Sequence, residues 1–299
     1  MSEATKEEPI IFLDDISVTF RTRTGSILHP NLVHAVQGMT IKLMPGETVG
    51  IVGESGCGKS TTANVMCGLQ SPTSGRVYFK GTDVTKRTAD LRKKIGRVVS
   101  VVFQDPATAL NPRMVVHDQL RDPLLVHKVG TEQEQERRIN ELIELVGLPK
   151  SALRALPGQL SGGQRQRVAI ARAMSLKPDA IIADEPTSAL DVSVRAQILN
   201  LLTDLKRDLG LSMIFISHDI QTVRYISDRI IVMNHGLHED APGCRAVASA
   251  PEARPVGERC LARGAQTTGS CAPARPWRAA WQRDVLQARA CGKDDVRRG

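Results

Sequence analysis

The segment Gly53-Glu54-Ser55-Gly56-Cys57-Gly58-Lys59-Ser60 decides the fold class of this chain. It fits the pattern Gly-x4-Gly-Lys-Ser/Thr, in which glycines allow main-chain N–H groups to close around phosphates without side-chain clashes. A strand pattern at 48–52 precedes the segment and a helix pattern at 59–69 follows it. The N-terminus of that helix adds partial positive charge where an anion would sit. This context predicts a phosphate-binding loop and disfavours a glycine-rich turn without function.

The residues of this loop have different predicted roles. Lys59 should reach the β- and γ-phosphates of ATP, and Ser60 should bind Mg²⁺. Cys57 should contribute only its main chain. The predicted nucleotide-contacting positions are Gly53, Glu54, Ser55, Gly56, Cys57, Gly58, Lys59, Ser60 and Thr61.

Two acidic residues, Asp184 and Glu185, follow an apolar strand pattern at 180–183. The carboxyl ends of strands in open α/β sheets face the crevice where ligands bind. Asp184 therefore fits a Mg²⁺ ligand, and Glu185 fits a base or a water-positioning group for attack on a γ-phosphate. Alone this pattern is common, and the upstream loop is what strengthens it.

The segment Leu160-Ser161-Gly162-Gly163-Gln164-Arg165-Gln166-Arg167 predicts a second anion site. A serine hydroxyl and free N–H groups at a helix start are suited to phosphate, although a plain Gly-Gly turn before a helix is the alternative. Two phosphate-binding elements in one chain imply either two ligands or one ligand shared between two copies.

Three further positions have both a functional and a structural interpretation. Gln104 follows a strand pattern ending at Phe103, and it would either bind Mg²⁺ or water or satisfy a turn. His218 follows the strand pattern at 213–217, where a lone histidine is commonly structural. Asp191 ends Ser188-Ala189-Leu190-Asp191, which by itself predicts a turn and a helix cap.

Composition and charge favour a soluble globular protein that acts without nucleic acid. The formal net charge is +8. Residues 237–299 hold 11 Lys and Arg against 7 Asp and Glu, so the other residues hold 29 basic against 25 acidic side chains and are close to neutral. The N-terminal sequence has no signal-peptide pattern, and no apolar run reaches the roughly 18 residues of a membrane span. None of the six cysteines forms a Cys-x-x-Cys pair, so reduced thiols are expected. We expect a cytoplasmic protein that reaches a membrane through a partner.

The remaining periodicities predict an α/β protein with a phosphate-loop NTPase core of mixed sheet and flanking helices. Between about 106 and 177 the pattern changes to mostly helix, and a strand pattern lies near the N-terminus. The predicted strands span 10–20, 39–43, 48–52, 76–80, 97–103, 180–184, 212–217 and 229–233. The predicted helices span 59–69, 134–146, 167–176 and 192–209.

Together, these segments resemble the ATP-binding subunits of ABC transporters, and the match covers residues 10–236. The resemblance implies an inserted helical subdomain at about 106–177 and an N-terminal antiparallel β region. The resemblance implies a head-to-tail pair of subunits, with ATP between the phosphate loop of one and Ser161, Gly162, Gly163 and Gln164 of the other. It also implies that Glu185 is the general base, that His218 contacts the γ-phosphate, and that Asp191 bridges the two sites. Phe20 stands at the position of an adenine-stacking aromatic, with a core or edge-strand phenylalanine as the alternative.

The motif Phe103-Gln104-Asp105-Pro106 with Leu110-Asn111-Pro112-Arg113-Met114 resembles the subunits that drive dipeptide, oligopeptide and nickel importers. The resemblance implies transmembrane permease subunits as partners, contacted by residues 105–113, and an extracytoplasmic solute-binding protein as an indirect partner. It implies peripheral attachment to the cytoplasmic face of the cell membrane.

Residues 237–299 depart from that pattern. They contain 13 Ala and five Pro but no Ile, Phe or Tyr, so they offer little apolar surface to offset the entropy of ordering. The importer subunits continue with an Asn-Pro-Tyr-Thr-like stretch, which is missing here. We predict a largely disordered tail, or one read out of frame, against the alternative of a natural divergent tail.

Overall fold

The computed structural model describes residues 8–26, 29–86, 88–234 and 237–238, which form two sheets with helices packed against them. The strands are β1 (Ile11–Ser26), β2 (His29–Leu43), β3 (Thr48–Gly53), β4 (Ser74–Phe79), β5 (Thr82–Asp83), β6 (Val99–Val102), β7 (Ala180–Asp184), β8 (Ser212–Ser217), β9 (Arg229–Asn234) and β10 (Leu237–His238). The helices are α1 (Lys59–Met66), α2 (Ala89–Val98), α3 (Pro106–Ala109), α4 (Val116–Val126), α5 (Glu132–Leu145), α6 (Gly162–Ala173), α7 (Val192–Leu209) and α8 (Ile220–Ile226).

The larger sheet has the strand order β10-β9-β3-β8-β7-β6, and all its pairs are parallel except β10 with β9. The smaller sheet is antiparallel, in the order β2-β1-β4-β5. This architecture confirms the predicted α/β core with an N-terminal antiparallel region. The parallel arrangement directs the carboxyl ends of β3, β6, β7 and β8 to one edge, where the predicted site residues follow them.

Strand β7 is buried on both faces, as its uninterrupted apolar sequence predicts. Ile181 and Ala183 join the core on the side of the helices α4–α7. Ala180 and Ile182 join the core shared with the antiparallel sheet. The strand that ends in Asp184 is therefore fixed between two layers, which holds that carboxylate in place.

The antiparallel hairpin is longer than the sequence predicts. The predicted strands at 10–20 and 39–43 extend to 16 and 15 residues in β1 and β2. Register shifts between Leu13 and Ile16 and between Ile16 and Val18 interrupt the pairing. Asp15, at φ 50°, lies within the first shift. Such bulges break the two-residue alternation of apolar side chains, so the sequence pattern undercounts these strands.

Four helices, α3 to α6, lie between β6 and β7, in the region predicted to be mostly helical. The prediction of a helix at 167–176 was wrong at both ends, because α6 begins at Gly162 and ends at Ala173. Ser161 caps it: the Ser161 Oγ accepts a bond from Gln164 N at 3.2 Å, and Gln164 Oε1 accepts one from Ser161 N at 3.0 Å. This reciprocal cap offsets the poor helix propensity of two glycines.

Other boundaries differ from the predicted ones. The first part of the predicted strand at 97–103 is the end of α2, and β6 begins at Val99. Leu237 and His238 form β10, opposite Asn234 and Met233, so the first two residues of the predicted disordered tail pair with β9. The rest of that prediction, for residues 239–299, lies outside the described residues. The division at 236 and the subdomain limits stay predictions.

An ionisable side chain, His117, connects helices α4 and α5. His117 lies 2.9 Å from Asp118 Oδ1 through Nδ1 and 2.9 Å from Glu136 Oε1 through Nε2. Burial lowers the pKa of His117, but the hydrogen bonds to the two carboxylates outweigh it and the net pKa is raised.

A raised folded-state pKa predicts a pH-dependent contribution to stability. The contribution of His117 is fully present below the unfolded-state pKa of about 6.5 and is lost as the pH rises through the folded-state value. We expect His117→Gln to lower the thermal midpoint at pH 6 more than at pH 8.5, as measured by circular dichroism across that range. An equal loss at both pH values would contradict the linkage.

Candidate functional site

The phosphate loop connects β3 to α1 and has a backbone that only glycine accommodates easily. Gly58 has a φ of 103°, and a Cβ atom there would collide with the carbonyl oxygen of Ala35. The loop therefore lies directly against β2. The predicted strand–loop–helix context is present, since β3 ends at Gly53 and α1 begins at Lys59.

The side chain of Lys59 closes this loop on itself. Its Nζ donates to the carbonyl oxygens of Gly53 at 2.8 Å and Glu54 at 2.7 Å, and the residue is 6% exposed. The Sγ atom of buried Cys57 lies 3.9 Å from the same nitrogen. The ammonium is thus held at the loop by main-chain oxygens, at the position from which it would turn towards a bound phosphate.

A cavity of about 350 Å³ opens beside the loop. It joins the loop and the start of α1 to the residues that follow β6, β7 and β8. The loop side of its lining consists of Ser55, Gly56, Gly58, Lys59, Ser60 and Thr61. The other lining residues are Ala35, Gln104, Glu185 and His218.

Ala35 is the lining residue that the sequence did not indicate. It lies on β2, in the part of the hairpin that the predicted strand at 39–43 left out. An alanine carries no chemical signal of its own. Its contact with Gly58 depends on the fold, and only the longer strand would have pointed to it.

Glu185 is the centre of a three-residue cluster in this cavity. Its Oε2 atom accepts a hydrogen bond from Gln104 Nε2 at 3.3 Å and lies 3.3 Å from His218 Nδ1. The glutamate side chain is 17% exposed, against 62% for the histidine. The cluster forms because Gln104, Glu185 and His218 follow three adjacent strands, β6, β7 and β8. The structure therefore brings all three predicted catalytic residues together.

The backbone of Glu185 has an unusual conformation, with a φ of 46°. Its N–H donates to Ile216 O at 2.9 Å, which ties it to the neighbouring strand. Left-handed backbone is costly for a residue other than glycine, and such residues cluster at functional sites. The conformation is held by β8 on one side and by the buried Pro186 that follows.

Asp184 precedes Glu185, and its side chain forms a hydrogen bond with Ser60, which lines the cavity. Burial raises the pKa of Asp184 and the nearby charge of Glu185 raises it further, while the Ser60 bond and Lys59 lower it. Its Oδ1 atom is buried without a hydrogen-bond partner among the described residues. A cation bound at Oδ1 and the Ser60 hydroxyl would stabilise this carboxylate, so these two residues fit Mg²⁺, which prefers oxygen ligands.

The signature segment, defined as Ser161 to Gln164, does not line this cavity. Exposed Ser161 caps α6, and the three residues that follow it form a partly buried first turn. A Cβ atom on Gly163 would collide with Val194 of α7. Asp191 lies at the start of α7 and is exposed, without a side-chain cap bond. Phe20 lies on β1, 43% exposed, and does not line the cavity. Within one chain these predicted residues stay apart from the phosphate loop.

The sequence model of one family, described as ABC transporter, matches residues 36–188. The chain belongs to the ABC transporter family. That span contains the phosphate loop, Gln104, the signature segment and Glu185. The chain is an ATP-binding, ATP-hydrolysing cassette.

Curated relatives of this ABC cassette cover most of it. The oligopeptide transport ATP-binding protein AppF of Bacillus subtilis (strain 168) is 45% identical over 242 residues, which are 80% of this chain and 74% of AppF. The dipeptide transport ATP-binding protein DppF of Escherichia coli (strain K12) is 42% identical over 78% of this chain and 70% of its own. The oligopeptide transport ATP-binding protein OppF of Bacillus subtilis (strain 168) is 48% identical over 70% of each.

Solved structures show the same cassette fold. A dimeric, post-hydrolysis structure of the ATP-binding cassette MJ0796, bound to ADP and Pi, aligns with a TM-score of 0.68 at 32% identity, covering 77% of this chain and 97% of that one. The cbiO1 protein of Clostridium perfringens, part of the ABC transporter complex cbiONQ, aligns with a TM-score of 0.67 at 28% identity, covering 78% and 88%. In the part of this cassette that the structure describes, no helix is both long and apolar enough to cross a membrane.

Proposed function

We propose that this ABC cassette powers the import of dipeptides or oligopeptides as a peripheral subunit on the cytoplasmic face of the cell membrane. The observation that carries the proposal is the similarity, at 42–48% identity, to ATP-binding proteins named for dipeptide or oligopeptide transport. The proposed partners are transmembrane permease subunits and, indirectly, an extracytoplasmic solute-binding protein.

The Glu185 cluster supports a defined role for each residue in ATP hydrolysis. The triphosphate would occupy the cavity beside Gly58, with Lys59 turning from its main-chain partners to the β- and γ-phosphates. Glu185 would accept a proton from the attacking water. Gln104 and His218, both hydrogen-bonded to Glu185, would hold its carboxylate in orientation.

A bound Mg²⁺ would neutralise phosphate charge. Ser60 and the unpartnered Oδ1 of Asp184 would hold it, and Gln104 would add an oxygen ligand after its amide reorients. Positioning and charge neutralisation supply most of the catalysis in phosphoryl transfer. The remaining residues therefore need only orient the water and take its proton.

The position of the signature segment supports a head-to-tail dimer. Ser161 presents a helix N-terminus to solvent rather than to its own phosphate cavity, so it is available to the γ-phosphate of ATP on a second subunit. Asp191 and Phe20 are exposed as well, as bridging and base-stacking roles require. The dimeric state of MJ0796 with ADP and Pi supports this arrangement.

A groove of about 270 Å³ supports attachment to a permease. It lies between α2, β6 and α6, with Phe103 and Leu69 contributing apolar side chains that are 41% and 59% exposed. Gln104 follows Phe103 directly, so a permease segment seated here would contact the chain beside its catalytic cluster. Occupation of the groove would thereby couple the pore to ATP hydrolysis.

Leu69→Asp is expected to release the subunit from its permease while leaving the fold and the ATP turnover of the isolated subunit unchanged. The side chain is exposed, so the charge costs little folding free energy, but it would be desolvated at the interface. Copurification of the cassette with tagged permease subunits measures this. Leu69→Met is the matched control and should copurify normally, whereas normal copurification of the Asp variant would exclude this groove.

The import function is tested in proteoliposomes that contain candidate permease subunits from the same organism, together with this subunit. ATP-dependent uptake of a labelled tripeptide is expected when a candidate solute-binding protein is supplied, with a labelled disaccharide as the control solute. Uptake of neither solute, despite ATP turnover, would reject peptide import and retain the ATPase assignment.

A further inference from the structure

Gln166 is a buried polar residue whose hydrogen bonds are missing. It lies on α6, two residues after Gln164, and is 0% exposed. Neither its Nε2 nor its Oε1 atom has a hydrogen-bond partner among the described residues. Buried amides are nearly always paired, because an unpaired one loses its water without replacement, so an unpaired amide calls for an explanation.

A cavity of about 90 Å³ adjoins this amide. One wall is the first turn of α6, including Gly162 and Arg165, whose buried Nε atom also has no partner among the described residues. A second wall is formed by Gln104 and Asp105 after β6. A third is formed by Pro186 and Leu190 after β7. Two unsatisfied polar groups thus face a space bounded by three functional segments.

These walls belong to different ATP sites in the proposed dimer. Gln104 and Glu185, which precedes Pro186, serve the ATP on their own subunit. Ser161, at the start of α6, would serve the ATP on the partner subunit. The cavity therefore lies between the segments that hold Gln104 and Glu185 and the start of α6, which would act on the partner's ATP. A change in the size of the cavity would move the start of α6 relative to those segments.

We propose that Gln166 is a positioning residue that links the two ATP sites. When two subunits close on ATP, its amide forms hydrogen bonds with main-chain groups of the segments after β6 and β7, and this fixes the signature turn relative to Glu185. The proposal rests on the proposed head-to-tail dimer. In the single subunit the amide has no hydrogen-bond partner among the described residues, so the bonds formed on closure would favour the closed dimer.

Gln166→Met tests the proposal, because methionine matches the length of glutamine but has no amide. We expect the thermal midpoint of the nucleotide-free subunit to stay unchanged or to rise, since no hydrogen bond is lost. We expect kcat for ATP to fall by about 10- to 100-fold. KM should change little, and the Hill coefficient for ATP should fall towards one, because coupling between the sites is lost.

Gln119→Met is the matched stability control. Gln119 is 2% exposed, but its amide is fully engaged, with Oε1 accepting from Asn111 N at 3.0 Å and Nε2 donating to Asn111 O at 3.0 Å. Its replacement should lower the thermal midpoint. An equal loss in Gln166→Met would show that the Gln166 amide is already paired in the open subunit, and would overturn the proposal.

A second measurement uses ATP-dependent dimerisation in subunits that also carry Glu185→Gln. Size-exclusion chromatography should show an ATP-trapped dimer for the single variant and a marked loss of dimer when Gln166→Met is added. A normal dimer together with wild-type kcat and Hill coefficient in Gln166→Met would overturn the inference alone. Absence of ATP turnover in the unmodified protein would instead reject the proposed function.

Discussion

Glu185→Gln is expected to lower the rate of ATP hydrolysis by about 10²- to 10⁴-fold, the range that general base catalysis contributes. The amide keeps the size of the carboxylate and can still accept from Gln104, so the cavity should keep its shape. What is lost is the ability to take a proton from the attacking water. Steady-state phosphate release measures the effect.

Nucleotide binding should be retained in this variant. Lys59, Ser60 and the loop main chain are unchanged, so the affinity for ATP should stay within about twofold, and an ATP-bound dimer should accumulate because it is no longer consumed. The matched control is Glu144→Gln, the same change at an exposed glutamate of α5 that does not line the cavity. Turnover near the wild-type rate in Glu185→Gln would remove Glu185 from the role of base.

Where the sequence carries a strong local pattern, it predicted the fold to the residue. Strands β7 and β8 and helix α7 have the predicted bounds, 180–184, 212–217 and 192–209. The two strands are uninterrupted apolar runs, and α7 has an apolar stripe that ends at Gly210, which adopts a φ of 62°. In these segments periodicity and stop signals agree, so local information suffices.

Two of the three failures come from interactions between distant segments. The β1–β2 hairpin is extended by pairing across bulges, which no single strand reveals. The first turn of α6 depends on a reciprocal cap that offsets two glycines. Ala35 enters the cavity only because β2 packs against the loop. The hairpin pairing and the Ala35 contact are tertiary contacts that override local propensity. The cap of α6 is local, a Ser-x-x-Gln pattern that the predicted start at Arg167 overlooked.

The grouping of the candidate site at one edge of the sheet could be predicted, because its residues follow strand ends. Gln104, Glu185 and His218 each follow a predicted strand, and a parallel sheet brings such positions to one edge. The sequence could not show which strands are neighbours. The order β8-β7-β6 supplies this, and it places Glu185 between its two partners. The unpaired state of Gln166 was also invisible, since it depends on three segments meeting around one cavity.

Ser161→Arg is expected to abolish ATP hydrolysis while leaving ATP binding to the isolated subunit intact. An arginine at this exposed helix start would fill the space that a partner's γ-phosphate needs, and it would also remove the bond to Gln164 N at 3.2 Å. Ser161→Ala is the matched control for that lost cap, which costs about 1 kcal/mol. Both variants should lose the same stability from the missing cap, as measured by their thermal midpoints. A loss of hydrolysis in the arginine variant beyond that of the alanine variant then reports the steric block.

Mixing two inactive variants decides whether the ATP site is shared between subunits. In a head-to-tail dimer of Ser161→Arg with Lys59→Ala, one site combines an intact phosphate loop with an intact signature segment, and the other site carries both defects. Each variant alone lacks an intact site, so hydrolysis should be absent separately and partly restored by mixing. If the signature acted on its own subunit's ATP, no combination would contain an intact site. Recovery of phosphate release on mixing therefore supports the shared site, and continued inactivity in mixtures shown to form heterodimers would reject it.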